Sequence, residues 1–153
     1  MDPKHQPPAD QPERPDADGS VEADRFSQAR SVRSAMLLED YTELIDDLTQ
    51  EFGEARITDI ACRMGVTHPT ASKAVARLKR EGLAVSRPYR GVFLTGDGQD
   101  MANRVRIRHR LVVEVLMAIG VPPEAAEMDA EGIEHHVSET TLAVFEAFLG
   151  ARR

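Results

Sequence analysis

Several residue types are scarce in this chain of 153 residues, and each scarcity excludes something. Tryptophan is absent and Cys62 is the only cysteine, so no disulfide can form within the chain and a reducing cytoplasm is expected. No apolar run approaches the roughly 18 residues of a membrane helix, and the N-terminus lacks the apolar segment of a signal peptide. We therefore expect a cytoplasmic protein with no membrane partner and an aliphatic core.

Charge is present in plenty but is unevenly spread along the chain, whose net charge is −7. Residues 52–95 carry 8 basic and 3 acidic side chains, whereas residues 31–51 carry 1 basic and 6 acidic ones. A basic segment in an acidic chain is typical of nucleic-acid binding. Chance clustering on a solvated surface explains it as well, so charge alone leaves both interpretations open.

The N-terminal part of the chain predicts a tail followed by a winged helix-turn-helix. Residues 1–30 are predicted to be a disordered tail, because five prolines interrupt any helix there. Helices are predicted over 31–52, about 58–64 and 68–81, with a tight turn at Gly65 between the last two. Two short strands joined at Pro88–Gly91 would form the wing, which completes a DNA-binding domain over 31–96.

The C-terminal part, residues 97–153, predicts an all-helical domain. Apolar spacing indicates helices over 97–119 and about 122–137, and Ser138 is suited to cap a last helix to about 149. Three such helices have a small core of their own, so we expect them to bury apolar surface in a homodimer. The predicted fold class is therefore mostly α: a winged helix-turn-helix domain followed by a helical domain.

The candidate DNA-binding residues lie on the second helix of the helix-turn-helix and on the wing. The N-terminal part of a recognition helix enters the major groove, and wing arginines are suited to phosphate. These candidates are Thr67, His68, Pro69, Thr70, Ser72, Lys73, Arg77, Arg87 and Arg90. The expected partner is double-stranded DNA with a palindromic operator, because a homodimer reads two half-sites.

A second motif points to metal chemistry. Glu131, Glu134 and His135 fall at i, i+3 and i+4, which places them on one face of the helix predicted over 122–137. Two carboxylates and an imidazole so close together are costly to assemble unless a cation neutralises them, and this ligand set suits Mn²⁺ or Fe²⁺. Ordinary surface residues at this spacing are an equally good explanation, so the motif alone leaves metal binding open.

Four separated segments together carry a resemblance to a known family. They are Leu-Glu-Asp-Tyr-Thr-Glu (38–43), Pro-Tyr-Arg-Gly-Val-Phe-Leu-Thr (88–95), Arg-His-Arg (108–110) and Asp-Ala-Glu-Gly-Ile-Glu-His-His (129–136). Over about 35–150 the chain resembles the diphtheria toxin repressor family, in its manganese-sensing, MntR-type branch. The resemblance implies a repressor of metal-transport genes with two Mn²⁺ ions per subunit. It implies metal ligands at Asp40, Glu43, His109, Glu131, Glu134 and His135, which bridge the DNA-binding and dimer domains.

Three alternatives are weighed against this interpretation. An iron-responsive repressor of the same family would use Fe²⁺, but the resemblance places sulfur ligands of that branch where this chain has Asp40 and Glu131, and hard oxygen donors favour Mn²⁺. A metallohydrolase would need a separate acid, base and substrate pocket, so we expect no enzyme, no catalytic residue and no small organic substrate. A thiol-sensing repressor would need an accessible Cys62, which is expected to pack in the core.

Overall fold

The computed structural model describes the backbone of residues 19–152, and its architecture is mostly helical, as predicted. Within this part of the chain, six helices and two strands follow one another. They are α1 (Gly19–Phe52), α2 (Ile57–Met64), α3 (His68–Arg80), β1 (Ala84–Ser86), β2 (Val92–Leu94), α4 (Gly96–Ala118), α5 (Pro123–Ile133) and α6 (Glu139–Gly150). None of the helices in this range is long and apolar enough to cross a membrane.

The larger core lies in the winged helix-turn-helix. Tyr41, Ile45 and Leu48 follow one another at i, i+4 and i+7 of α1, and all three are buried. They belong to the same cluster as Ile60 of α2 and Leu78 of α3, which are fully buried. Each such side chain contributes about 1.5–3 kcal/mol on burial. The second half of α1 is therefore part of the winged helix-turn-helix.

A glycine and a helix cap form the turn between α2 and α3, and a second glycine lets the wing approach the α1–α2 connection. Gly65 ends α2 in the left-handed region, with φ 64°, and the Thr67 side chain accepts a hydrogen bond from the Thr70 backbone N–H to cap α3. The two wing strands pair antiparallel. A Cβ atom at Gly91 would lie 2.4 Å from the Ala55 carbonyl oxygen, so only glycine fits where the wing meets the α1–α2 connection.

The C-terminal helices have a smaller core, and α4 connects it to the winged helix. Val112 and Val113 of α4 pack against Ala126 and Ala130 of α5, and all four are buried. The same helix α4 also packs along α1. Because the two α5 residues are alanines, α4 and α5 approach each other closely, which matters for the polar side chains that they carry.

Two predicted helix boundaries are wrong. Helix α1 begins at Gly19 instead of residue 31 and so includes residues 19–30 of the predicted tail, because the last interrupting proline is Pro15. The rest of the predicted tail, residues 1–18, lies outside the described residues. Helix α5 ends at Ile133 instead of 137, because the chain tightens there into a turn in which the His136 N–H donates to the Ile133 carbonyl oxygen at 2.9 Å.

The prediction that Cys62 packs in the core is also wrong. The inward face of α2 is filled by Ile60 and Ala61, and the thiol is exposed on the opposite face. Because the thiol is exposed, the position of Cys62 is no argument against a thiol-sensing repressor. An argument against that class of protein must come from other residues.

Candidate metal centre

Three elements bring the acidic residues and histidines together. The middle of α1 carries Glu39, Asp40 and Glu43, α4 carries His109, and α5 with the turn after it carries Glu131, Glu134 and His135. Helix α1 belongs to the winged helix, whereas α4 and α5 form the C-terminal core. The cluster therefore lies between the two parts of the fold.

Glu134 is at the centre of this cluster and is only 1% exposed. Its Oε2 lies 2.7 Å from Nδ1 of His109, and its Oε1 lies 3.4 Å from Nε2 of His135. Burial raises the pKa of the Glu134 carboxyl, and the hydrogen bond from His109 opposes that shift. One buried carboxyl group thus faces two imidazoles with different oxygen atoms.

A first group of possible ligands consists of His109, Glu131 and Glu134. One ligand atom from each of these residues lies within 4.8 Å of the others, and His109 Nδ1 is 3.8 Å from Glu131 Oε1. Two ligand atoms on one ion are at most about 4.4 Å apart when each bond is about 2.2 Å long. A small closure of the side chains would therefore complete three ligands of a metal site.

A second group surrounds His135, whose side chain is only 5% exposed. Its Nε2 lies 3.0 Å from Oδ1 of Asp40, and its Nδ1 lies 2.7 Å from Oε2 of Glu39. These two hydrogen bonds raise the pKa of His135 to about 10, against the opposing effect of burial. A protonated His135 therefore provides positive charge among the carboxylates in this structure.

Glu43 is the candidate ligand that stands farthest from this arrangement. It lines the same cavity as Asp40 and Glu131, but its nearest cation is Arg106, whose Nε lies 3.8 Å from Glu43 Oε1. Burial raises the pKa of the Glu43 carboxyl, while Arg106 lowers it. The structure thus joins Asp40, the two histidines and their glutamates through short contacts, and leaves Glu43 at the edge.

Three residues in this region were not identified from the sequence. Glu39 contacts His135, Arg108 pairs with Glu39 at 2.6 Å, and Glu127 Oε2 lies 2.9 Å from Nε2 of His109. A signal existed for Glu127, because it precedes Glu131 by four residues and shares its helix face. Nothing in the local spacing indicates that Glu39 meets a histidine 96 positions later.

The donor chemistry of the cluster fits a divalent cation. Its candidate ligands offer carboxylate oxygens and imidazole nitrogens and no sulfur, which suits hard or borderline ions. Several carboxylates share a partly buried volume, which is costly unless positive charge is close. The described residues supply that charge through His135 and arginines of α4. A divalent ion would supply it in their place.

The predicted DNA-binding residues form an exposed surface on α3 and the wing. The exposed ones are Thr67, His68, Pro69, Thr70, Lys73, Arg87 and Arg90, whereas Ser72 and Arg77 are partly buried. Ser72 and His68 contact each other at 3.4 Å, and Arg77 pairs with Glu81 at 4.0 Å. The Arg87 guanidinium packs on the Phe93 ring, 4.8 Å from its centroid, which holds it at the wing.

Two family models match nearly all of the chain outside its N-terminal segment. "Iron dependent repressor, N-terminal DNA binding domain" matches residues 36–92, and "Iron dependent repressor, metal binding and dimerisation domain" matches residues 95–153. Together with the relatives below, they show that the chain belongs to the diphtheria toxin repressor family of metal-dependent, DNA-binding transcriptional regulators. The family predicted from the four sequence segments is thereby confirmed.

Named relatives and solved structures agree with this assignment. "Transcriptional regulator MntR" of Salmonella typhi is 49% identical over 123 residues, which cover 80% of this chain and 78% of the relative. "HTH-type transcriptional regulator MntR" of Bacillus subtilis (strain 168) is 40% identical over 105 residues, 69% of this chain and 74% of the relative. The solved structure of the manganese regulator SloR superposes with a TM-score of 0.65 at 30% identity, covering 74% of this chain but only 53% of SloR.

Proposed function

We propose that this regulator responds to Mn²⁺ and represses metal-transport genes in the cytoplasm, as a homodimer on a palindromic operator. The observation that carries the proposal is the position of Glu134, buried between His109 and His135 and close to Asp40 of α1. The oxygen-rich donor set without sulfur favours Mn²⁺. The names of the relatives, which include MntR proteins and manganese regulators, support the same ion.

In this proposal the ligands are Asp40, Glu43, His109, Glu131, Glu134 and His135. A bound divalent ion supplies positive charge that the carboxylates otherwise obtain from protonated His135 and the arginines of α4. The two oxygens of Glu134 face different imidazoles, which supports two ions per subunit with Glu134 between them. Asp40 and Glu43 belong to the winged helix-turn-helix, which we call the DNA-reading head. When all six ligands bind metal in one region, this head is fixed against α4 and α5.

We assign the homodimer contact to an apolar groove on the C-terminal helices, within the part of the chain that matches the dimerisation domain. The groove is lined by apolar side chains of α4, α5 and α6 and by Ile119 at the end of α4, and Ile119 and Val144 in this lining are 63% and 61% exposed. Exposed apolar surface of this kind is typical of an interface between copies. A charge introduced by Val144→Glu should give a monomer in size-exclusion chromatography with light scattering, whereas an unchanged dimer would contradict the assignment.

The proposal is tested by titrating metal ions into the protein with a fluorescent palindromic operator and measuring anisotropy. We expect Mn²⁺ to activate DNA binding in the wild type and to fail in His109→Ala and Glu134→Ala. The exposed Glu124 serves as the matched control, since Glu124→Ala removes a carboxylate of α5 outside the cluster. Mn²⁺ affinity that is unchanged in both ligand variants would contradict the site.

The same titration separates the alternatives. Activation by Fe²⁺ at lower free concentration than by Mn²⁺ would favour an iron-responsive repressor. Zn²⁺ prefers four ligands, so we expect it to bind tightly and to activate less at saturation. Loss of DNA binding on oxidation of Cys62, with no dependence on metal, would favour a thiol sensor.

A further inference from the structure

We propose that Glu39 is a positioning residue for the metal ligand His135, and that Arg108 holds Glu39 in place. Glu39 and His135 are 96 positions apart and belong to the two parts of the fold that the metal centre joins. The inference rests on the proposed function in one respect, namely that His135 binds the metal ion. It goes further because it assigns a role to a partly buried carboxylate and an arginine outside the ligand set.

The two nitrogens of His135 contact different groups. Nδ1 lies 2.7 Å from Oε2 of Glu39, whereas Nε2 lies 3.0 Å from Asp40 and 3.4 Å from Glu134, both of which are proposed ligands. An imidazole that donates Nδ1–H to a carboxylate keeps Nε2 as the nitrogen available to a metal, and the hydrogen bond also fixes the ring orientation. Glu39 therefore points Nε2 at the ligand cluster.

Glu39 is itself held away from the cluster. Its second oxygen, Oε1, lies 2.6 Å from Nη2 of Arg108, and the two side chains are only 18% and 19% exposed. With Oε1 on Arg108 and Oε2 on His135, both oxygens of Glu39 already have a partner. This arrangement distinguishes Glu39 from the carboxylates that are proposed to bind the ion. It also links α1, α4 and the turn after α5 through one chain of polar contacts.

The other histidine provides an internal comparison. His109 directs Nδ1 toward Glu134, and its Nε2 lies 2.9 Å from Glu127. Each imidazole thus faces the cluster with one nitrogen and a further glutamate with the other. The side chain of Glu127 is 64% exposed, however, compared with 18% for Glu39. Because water competes with an exposed hydrogen bond, Glu127 should position its histidine less firmly than Glu39 does.

The first test measures Mn²⁺ binding to the full chain by calorimetry. Loss of a carboxylate that orients a metal-ligating histidine weakens metal binding about 10- to 100-fold, and we expect this for Glu39→Ala. Glu39→Gln should recover most of the affinity, because its amide oxygen still accepts the Nδ1 hydrogen bond. Glu127→Ala should show a smaller loss than Glu39→Ala, and the charge control Glu124→Gln should show none. Unchanged affinity in Glu39→Ala, or equal losses in the Ala and Gln variants, would overturn the inference.

The second test identifies the metal-bound nitrogen of His135 directly. It uses the wild-type protein, so it does not depend on whether a variant folds. Long-range ¹H–¹⁵N spectra of the wild type loaded with diamagnetic Cd²⁺ should show His135 with a proton on Nδ1 and the metal on Nε2. Metal on Nδ1 would overturn the inference even if Glu39→Ala is too unstable to study. Failure of the proposed function looks different, because the wild type would then bind no Mn²⁺ at all.

Discussion

The ion pairs of Arg106 allow a sharp prediction about stability. This side chain reaches from α4 to α1, where it pairs with Asp46 and Asp47 and is 26% exposed. Asp46 is 5% exposed and also accepts a hydrogen bond from Gln50 at 2.7 Å. Removing one partner of a buried pair costs about 3–5 kcal/mol, and the partial exposure of Arg106 with the remaining Gln50 contact reduces this to about 2–3 kcal/mol. Arg106→Ala should therefore lower the melting temperature by about 10 °C.

The measurement is urea unfolding followed by circular dichroism, at one fixed protein concentration because the family includes a dimerisation domain. Asp47, whose side chain is 49% exposed, provides the matched control, and Asp47→Ala should cost at most about 1 kcal/mol. The double variant Asp46→Asn, Arg106→Ala should be more stable than Arg106→Ala alone, since no unpaired buried charge remains. If the loss of unfolding free energy in the double variant equals the sum of the losses in the two single variants, the explanation by an unpaired Asp46 carboxylate is refuted.

Other predictions concern the wing, the metal and the thiol. Arg90→Ala should weaken binding to all DNA sequences alike and reduce the salt slope by about one unit, and a change in sequence preference would contradict a phosphate contact. Gly91→Ala should displace the wing from Ala55, lowering operator affinity more than Mn²⁺ affinity in parallel titrations. Asp40→Met should shift activation toward Fe²⁺ or Co²⁺ in anaerobic titrations, because a softer donor replaces a carboxylate. Cys62→Ser should leave the Mn²⁺ response unchanged.

Patterns within one element were predictable from the sequence. Apolar spacing predicted the helices of the helix-turn-helix, and Gly65 predicted the tight turn between α2 and α3. These features depend only on neighbours along the chain. Glu131, Glu134 and His135 were singled out by their spacing and Asp40, Glu43 and His109 by the resemblance to the family, and the metal binding of all six stays a prediction.

Contacts between elements could not be predicted in the same way. Arg106 meets Asp46 across 60 positions, and periodicity contains no information about which charged groups become neighbours when two helices pack. The end of α5 at Ile133 depends on a turn in which the His136 N–H donates to the Ile133 carbonyl oxygen, and apolar spacing does not encode that turn. Glu134 and His135 consequently lie in the turn after the helix, where they can face two different partners.

The continuity of α1 has a mechanical consequence. Asp40, a proposed ligand, and Leu48, a core residue of the DNA-reading head, are eight residues apart on the same unbroken helix, a distance of about 12 Å. No loop or glycine separates them, so no joint exists that could absorb a displacement between the two positions. We therefore expect a displacement of a few tenths of an ångström at the Asp40 carboxylate to displace the head by nearly the same amount. Two turns of stiff helix transmit this displacement without a series of intermediate side-chain contacts.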